Sequence, residues 1–290
     1  MALQFISGSA AACGAVTVTN PFDMLKTRRQ LHNELGLGTH GIARISLRDV
    51  WRVEGMAGVQ KGLFPAYIYQ TMMNGTRFMV YEPLRRLLSH QPLLASREIA
   101  CNALAGAVAG GLAASLGSPF NLIKTRLQSH SAHFATGHQH GYPSTRAAIQ
   151  RIWAAEGLRG FYRGVSASVI RTTAGSAAQL SSYEWAKSVL VRELGVRPDL
   201  ASVHLASALV GGIWACLVMN PFDVIMTRLY NQKGSTLYRG VLDCGLRTVR
   251  QEGVLALWKG LAPHFVRVGP HTVLTLVLLE QVRTALHPFF

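Results

Sequence analysis

The sequence predicts an all-α membrane protein with six transmembrane helices. Three stretches contain no charged residue: 1–22, 99–123 and 200–222. Each is as long as the ~20 residues that a helix needs to cross a bilayer. Three further stretches of 20 residues contain one charge apiece: 62–81, 164–183 and 260–279. Because the two kinds of stretch alternate, the six spans form three pairs.

The composition of the 290-residue chain excludes an ordinary soluble domain. Charged residues make up 15% of the chain, against about 25% in typical soluble proteins. The formal net charge of +15 is typical of a nucleic-acid-binding protein. The basic residues lie mainly between the spans, however, so we expect no nucleic-acid partner and assign much of this charge to contacts with anionic lipid.

Three motifs recur in register and divide the chain into repeats. The first, a proline followed by polar and charged residues, occupies residues 21–28, 119–126 and 221–228, at intervals of 98 and 102 residues. The second joins Glu-Gly to a basic residue and a glycine, at residues 54–62, 156–164 and 252–260. The third, a glutamate with a basic residue three positions on, occupies residues 82–85, 184–187 and 280–283. We therefore predict repeats over residues 1–95, 96–195 and 196–290.

These motifs resemble those of the mitochondrial carrier family over residues 5–287. Residues 61–63, 66–70, 74–77, 81–83, 219–221 and 230–234 are similar to its oxaloacetate-carrier branch. The resemblance implies a six-helix barrel with threefold pseudosymmetry, in which each repeat adds a short amphipathic helix on the matrix side. It also implies a multi-pass monomer in the mitochondrial inner membrane with bound cardiolipin. No arginine-rich amphipathic stretch precedes the first span, so we expect no cleaved presequence.

The first span of each repeat ends near a proline: Pro21, Pro119 or Pro221. A proline inside a helix removes one backbone hydrogen bond and bends the chain. We therefore expect three inward kinks that form a constriction. We call this end of the barrel the proline end and the opposite end, where Glu82, Glu184 and Glu280 lie, the glutamate end.

Polar and charged residues follow each proline at equivalent positions. Asp23 and Lys26 share a helix face because they are three residues apart. If each acidic position meets the basic position of the next repeat, the pairs are Asp23 with Lys124, Asp223 with Lys26, and Asn121 with Met226. No charge then remains alone. The opposite order leaves two buried charges unpaired at several kcal/mol each, so we predict the first order.

The resemblance implies two gates. The residues just paired form a matrix gate, in which Gln30 and Gln128 occupy bracing positions and Tyr230 departs from the family pattern. A cytoplasmic gate, facing the intermembrane space, pairs Glu82 with Lys187, Glu184 with Arg283, and Glu280 with Arg85. The alternative for these six residues is that they are snorkelling charges at the membrane interface.

The second spans contain three arginines as their only charges: Arg77, Arg171 and Arg267. An ionised side chain at membrane depth is costly and marks a functional site. Arg171 and Arg267 both lie 13 residues before a gate glutamate, and Tyr69 holds the equivalent position in the first repeat. No acidic residue in the spans offsets the arginines, so we expect the cavity to bind a small dianion through bidentate contacts.

Hydrogen-bonding residues near the arginines are candidates for choosing among dianions: Gln70, Asn74, Thr172 and His271. Helix packing is the alternative for each, and His271 is also a candidate for coupling protons to transport. Residues 268–272 are similar to dicarboxylate, oxoglutarate and oxaloacetate carriers. The resemblance implies oxaloacetate as the substrate, with malate, malonate and sulfate as competitors.

Motifs of other classes are missing. The sequence has no Walker loop, dinucleotide fingerprint or nucleophile elbow, so we expect no enzyme and no cofactor. Its four cysteines show neither paired spacing nor a zinc motif. We expect the histidines of residues 130–140 to lie in a solvated loop and bind no metal. A proton or anion leak of the uncoupler or channel type is the alternative to transport by antiport, and the two predicted gates argue against it.

Overall fold

The computed structural model describes residues 2–32, 34, 45–90, 98–131, 133–134, 136–193, 195, 201–234 and 237–286. These residues form α-helices and one 3-10 helix, Val254–Trp258. The α-helices are α1 (Ala2–Leu31), α2 (Leu47–Val59), α3 (Leu63–Ser89), α4 (Glu98–Ser129), α5 (Thr145–Phe161), α6 (Val165–Arg192), α7 (Ala201–Asn231), α8 (Val241–Glu252) and α9 (Leu261–Leu286). Each repeat thus has a long helix, a short helix and a second long helix.

The six long helices form a closed ring. In order around the ring they are α1, α3, α4, α6, α7 and α9, and α9 contacts α1 again. The helices α1, α4 and α7 also contact one another. Each of these three runs through its proline and ends ten residues later, and the side chains that join them lie in this last segment. We call α1, α4 and α7, the first long helix of each repeat, the odd helices. The three odd helices therefore meet at the proline end.

The barrel is the all-α membrane fold with threefold pseudosymmetry that the sequence predicts. By length and composition alone, two of the described helices are apolar enough to cross a membrane: Cys101–Ser129 and Ser202–Asn231. On α4 the side chains of Leu104, Val108, Leu112 and Leu116 are exposed at a spacing of four residues. This spacing places them on one face, where they form a lipid-facing stripe.

Two of the short helices, α2 and α5, begin at a capping serine, and all three short helices bury one face. The hydroxyl of Ser46 accepts from the backbone N–H of Arg48, and Asp49 accepts from the Ser46 N–H, so α2 has a capping box. Ser144 caps α5 in a similar way. On α5, Ile152 is fully buried and Trp153 is 61% exposed. The helices α2 and α8 are amphipathic, as predicted, whereas α5 exposes apolar as well as charged side chains outside its buried face.

Glycine precedes the second long helix of each repeat. Gly62, Gly164 and Gly260 have φ values of 73°, 75° and 79°, a conformation that favours glycine. A Cβ at Gly62 would lie 3.1 Å from the backbone oxygen of Lys124, and one at Gly260 would lie 3.2 Å from that of Lys26. These glycines therefore bring the start of the helix against the odd helix of the next repeat.

Candidate substrate site and proline-end gate

Two buried ion pairs join the three odd helices at the proline end. Lys124 Nζ lies 2.7 Å from Oδ2 of Asp23, and Lys26 Nζ lies 2.6 Å from Oδ2 of Asp223. The structure thus has the cyclic order that leaves no gate charge alone. Because all four side chains are nearly buried, removing one partner of either pair costs about 3–5 kcal/mol.

The third position of this ring lacks an ion pair. Asn121 Nδ2 lies 3.9 Å from the sulfur of Met226, and a thioether is a weak acceptor. The predicted bracing glutamines bind threonines beside the ring: Gln128 Oε1 accepts from Thr27 at 3.0 Å, and Gln30 Oε1 accepts from Thr227 at 2.8 Å. At the third bracing position, the hydroxyl of Tyr230 lies 3.0 Å from that of Ser118. The ring is therefore weakest between α4 and α7.

The two arginines predicted to bind substrate contact the aspartates of this ring. Arg267 Nε lies 3.0 Å from Oδ1 of Asp23, and Arg171 Nε contacts Oδ1 of Asp223. The expectation that no acidic residue offsets these arginines is therefore wrong. The helices continue through their prolines, and the long arginine side chains of α6 and α9 reach across to carboxylates that the sequence places at the ends of the charge-free stretches.

This buried layer keeps an excess of positive charge. Four cations contact two carboxylates: Lys26, Lys124, Arg171 and Arg267 face Asp23 and Asp223. None of these six side chains is more than 18% exposed. Within the described part of the layer, two positive charges therefore have no carboxylate of their own. That excess equals the charge of a dianion.

A chain of polar side chains lies one helical turn beyond Arg267. His271 Nδ1 lies 3.3 Å from the hydroxyl of Thr19 on α1, and its Nε2 lies 3.3 Å from Nε2 of Gln70 on α3. Asn74, one turn further along α3, donates to the backbone oxygen of Gln70 at 3.0 Å. Since Gln70 reaches α9 past α1, this face of α3 points into the barrel.

The other predicted substrate residues have different surroundings. Arg77 is exposed and lies two turns beyond Gln70, on the same inward face. Tyr69 packs its ring against Gly117 of α4, where a Cβ would lie 3.0 Å from the ring. Thr172 places its methyl group against Gly110 and donates its hydroxyl to the Ser168 backbone at 2.9 Å. For Thr172 these contacts match the packing alternative.

At the glutamate end, described residues of the predicted ring contact side chains other than their predicted partners. Glu82 pairs at 3.2 Å with Arg86 on its own helix, and Arg85 donates to Asn102 at 2.8 Å. Among the described side chains, no ion pair joins Glu82 to Lys187. Glu184 and Glu280 are exposed, and exposed ion pairs contribute little. The side chain of Arg283, the predicted partner of Glu184, lies outside the described residues.

Sequence reasoning missed three glutamate-centred clusters beside the proline-end ring. Arg28 donates two hydrogen bonds of 2.8 Å to Glu54, which also pairs with Lys61 at 3.1 Å. The equivalent clusters are Arg126, Glu156 and Arg163, and Arg228, Glu252 and Lys259. These clusters could have been predicted from the repeats. In every repeat the arginine is the last residue of the first motif, and the glutamate and the second basic residue belong to the second motif.

Each cluster also binds the end of an odd helix in the next repeat. Arg28 Nε donates to the backbone oxygen of Gln128 and Lys61 Nζ to that of His130, both at 3.1 Å. Cations are favourable at a helix C-terminus, so the cluster joins two repeats. Burial alone would raise the pKa of Glu54, but hydrogen bonds from Arg28 and Ser131 outweigh it and lower that pKa to about 2. The carboxylate is therefore ionised at neutral pH.

The loop histidines are partly packed rather than fully solvated. His140 Nε2 lies 2.7 Å from the backbone oxygen of Asn231, and its ring stacks on Tyr142 at 5.3 Å. Burial and the nearby Arg126 lower the pKa of His140 to about 3, so the ring is neutral and donates from Nε2. Among the described residues no cluster of His, Cys, Asp or Glu has the arrangement of a metal site. The four cysteines are free thiols.

A closed barrel of three repeats, with a buried charged ring at one end and cationic side chains in its interior, defines a membrane carrier. The sequence profile described as "Mitochondrial carrier protein" matches residues 1–92, 95–194 and 199–289. The chain belongs to the mitochondrial carrier family.

Curated relatives agree with this assignment. The chain is 44% identical to the mitochondrial citrate transporter E of Aspergillus niger, covering 96% of this chain and 91% of the relative. It is 41% identical to the mitochondrial oxaloacetate transport protein of Saccharomyces cerevisiae, covering 96% and 88%. It is 37% identical to human solute carrier family 25 member 35, covering 97% and 98%. The family is one of transporters, which are not enzymes.

Proposed function

We propose that this carrier moves small dianions, oxaloacetate or a related dicarboxylate, or sulfate, across the mitochondrial inner membrane by antiport. The observation that carries the proposal is the pair of arginines held on gate aspartates in a buried layer with two excess positive charges. The names of the citrate and oxaloacetate relatives are consistent with it. A cation substrate would add to this positive excess and is disfavoured.

The contacts suggest how binding opens the proline-end gate. A dicarboxylate that takes up Arg171 and Arg267 competes with Asp223 and Asp23 for the two guanidinium groups. Each aspartate then loses one of its two cations, and the contacts that hold α6 to α7 and α9 to α1 at the proline end are lost, so the closed arrangement of this end is weakened. Guanidinium groups suit this exchange because their fork binds one carboxylate as well as another.

Two gates that open in turn make the cycle one of alternating access. The proline-end ring is joined, while Glu82 pairs with Arg86 on its own helix at the glutamate end, and this supports a state open toward the intermembrane space. A substrate shifts such an equilibrium only by binding one state more tightly. The buried ring at the proline end argues against a permanently open leak.

Uptake into liposomes tests the proposal. Purified protein, loaded with an internal dicarboxylate, is assayed for uptake of labelled oxaloacetate against a panel of unlabelled malate, malonate, citrate and sulfate. Arg171→Ala and Arg267→Ala are each expected to abolish exchange while the protein stays folded by thermal melt. Arg247→Ala, which removes an exposed side chain on α8, is the matched control and retains exchange.

Two results would count against this function. Exchange retained in both arginine variants would reject the site, and current through planar bilayers without added substrate would favour a leak. If the rate of uptake does not change when a pH gradient is imposed, proton coupling is excluded and exchange remains as the transport mechanism.

We also infer that cardiolipin binds between repeats. A cavity of about 280 Å³ lies between the starts of α3 and α5 and is lined by Lys61, Gly62, His130, Ser144 and Thr145 among others. Helix N-termini and a lysine favour a phosphate group. Because one chain closes the ring, we propose that the carrier acts as a monomer.

A further inference from the structure

The chain of Thr19, His271 and Gln70 links three helices beside the arginines. Thr19 lies on α1, His271 on α9 and Gln70 on α3, and the two contacts of the imidazole measure 3.3 Å each. His271 is one turn from Arg267 on the same face of α9. These three side chains therefore form part of the wall of the proposed substrate site.

The hydrogen bonds of the Thr19 hydroxyl determine which nitrogen of the His271 ring carries the hydrogen. Thr19 Oγ1 lies 2.9 Å from the backbone oxygen of Ala15, and a carbonyl oxygen only accepts. A hydroxyl has one hydrogen, which is used in this bond. Toward His271, Thr19 can therefore only accept, so Nδ1 of His271 carries a hydrogen.

The contact with the Gln70 amide determines that the other ring nitrogen, Nε2, carries no hydrogen. An amide nitrogen donates and does not accept, so the contact between Gln70 Nε2 and His271 Nε2 requires a ring nitrogen without hydrogen. Both contacts are satisfied by one neutral tautomer, with hydrogen on Nδ1. A doubly protonated ring would set a donor against the amide nitrogen and a second cation beside Arg267. His271 is therefore a fixed acceptor for Gln70 and not a proton carrier.

With its nitrogen held, the amide of Gln70 has one orientation. Its Oε1 is directed away from His271, and among the described residues no hydrogen bond to this oxygen is found. Gln70 is only partly buried, so Oε1 is an acceptor presented to the cavity. A hydroxyl group of a substrate can donate a hydrogen bond to Oε1. A keto oxygen cannot, because it is itself an acceptor, and the two oxygens would repel each other.

We propose that Gln70 is a specificity-determining residue that favours dicarboxylates with a hydroxyl group over those with a keto group, and that His271 and Thr19 are positioning residues that hold its amide. The proposal rests on the proposed dicarboxylate function and sharpens the substrate class. If Thr19 ceases to accept, the imidazole can move its hydrogen to Nε2. The amide then turns and presents its N–H groups, which suit a keto oxygen.

The transport test compares Thr19→Val with Thr19→Ser. Valine removes the acceptor at similar volume, and serine keeps it. In liposomes, the ratio of kcat/KM for malate to that for oxaloacetate is expected to fall about tenfold in Thr19→Val, through a higher KM for malate, and to be unchanged in Thr19→Ser. An unchanged ratio in Thr19→Val would overturn the proposal, and so would an equal fall in both variants.

A second measurement does not depend on transport. In protein with ¹⁵N-labelled histidine, the His271 signals, assigned with His271→Asn, are expected to show hydrogen on Nδ1 in the native chain and on Nε2 in Thr19→Val. If the native ring carries its hydrogen on Nε2, the positioning role is wrong whatever the chain transports. If the tautomer is as expected but no dicarboxylate is carried, the proposed function fails and the proposed hydroxyl selectivity with it, while the positioning of Gln70 stands.

Discussion

Arg267 on α9 and Asp23 on the adjacent helix α1 contact each other, with Nε of the arginine 3.0 Å from Oδ1 of the aspartate. The arginine is a predicted substrate residue and the aspartate a predicted gate residue, so the two predicted roles share one buried contact. Arg171 and Asp223 repeat the arrangement on the neighbouring helices. The stability of the proline-end ring and the affinity for a dianion are therefore expected to be coupled.

Asp223→Asn is expected to destabilise the protein strongly. Asp223 is 1% exposed and is the carboxylate partner of both Lys26 and Arg171, so the substitution leaves two buried cations without their counter-charge. The loss should be about 3–5 kcal/mol, seen as a lower Tm in detergent. The matched control is Asp243→Asn, which breaks an exposed ion pair with Arg247 and should lower the Tm much less. Equal losses in the two variants would contradict the role of the buried ring.

Restoring the missing third ion pair should stabilise the state closed at the proline end. Asn121 and Met226 already face each other at 3.9 Å, so Asn121→Asp with Met226→Lys places opposite charges in contact. The double variant should have a higher Tm and slower exchange in liposomes than the native protein. Met226→Lys alone adds a cation to a layer that already has excess positive charge and should be less stable.

A double-mutant cycle gives the coupling energy between positions 121 and 226 from the stabilities of the native protein, the two single variants and the double variant. A coupling of roughly 1 kcal/mol or more is expected for contacting buried charges. Additive effects on Tm would show that the two positions do not meet in the closed state.

Glu34 should make stability depend on pH. Burial raises the pKa of Glu34 from 4.5 to about 7, although Arg228 opposes the shift. Between these values the folded state keeps a proton that the unfolded state has released, so the free energy of unfolding falls as the pH rises from about 4.5 to about 7. Glu34→Gln cannot ionise and should remove this part of the slope, with a Tm several degrees above that of the native protein at pH 8 and no gain at pH 4.

The control for Glu34 is Glu193→Gln, which changes an exposed carboxylate at the end of α6. Its Tm should follow the native pH profile. A native profile retained in Glu34→Gln would mean that another group dominates the pH dependence.

Local features of the sequence were sufficient for the fold and for much of the site. Scarce charges mark the spans, and three motifs in register mark the repeats, since both are properties of residues near one another in the chain. Charge compensation alone predicts that Lys124 pairs with Asp23 and Lys26 with Asp223, and the structure joins these residues. The role of these pairs as a gate stays a prediction.

The glutamate end shows a limit of the same reasoning. The regular spacing of Glu82, Glu184 and Glu280 predicts a ring, yet Glu82 binds Arg86 in this structure. A repeat states which residues are equivalent, but a carrier that alternates between states joins only some of them at one time.

The sequence by itself determined the class of protein, the number of spans, the repeats and the excess of arginine in the second spans. Only the tertiary structure decided that Arg171 and Arg267 bind the gate aspartates, that the glutamates of the second motif bind the arginines of the first, and that His271 lies between Thr19 and Gln70. The physical reason is that these contacts join residues up to 252 positions apart. Whether such residues meet depends on how the helices pack around the barrel and how far each side chain reaches, which no local pattern records.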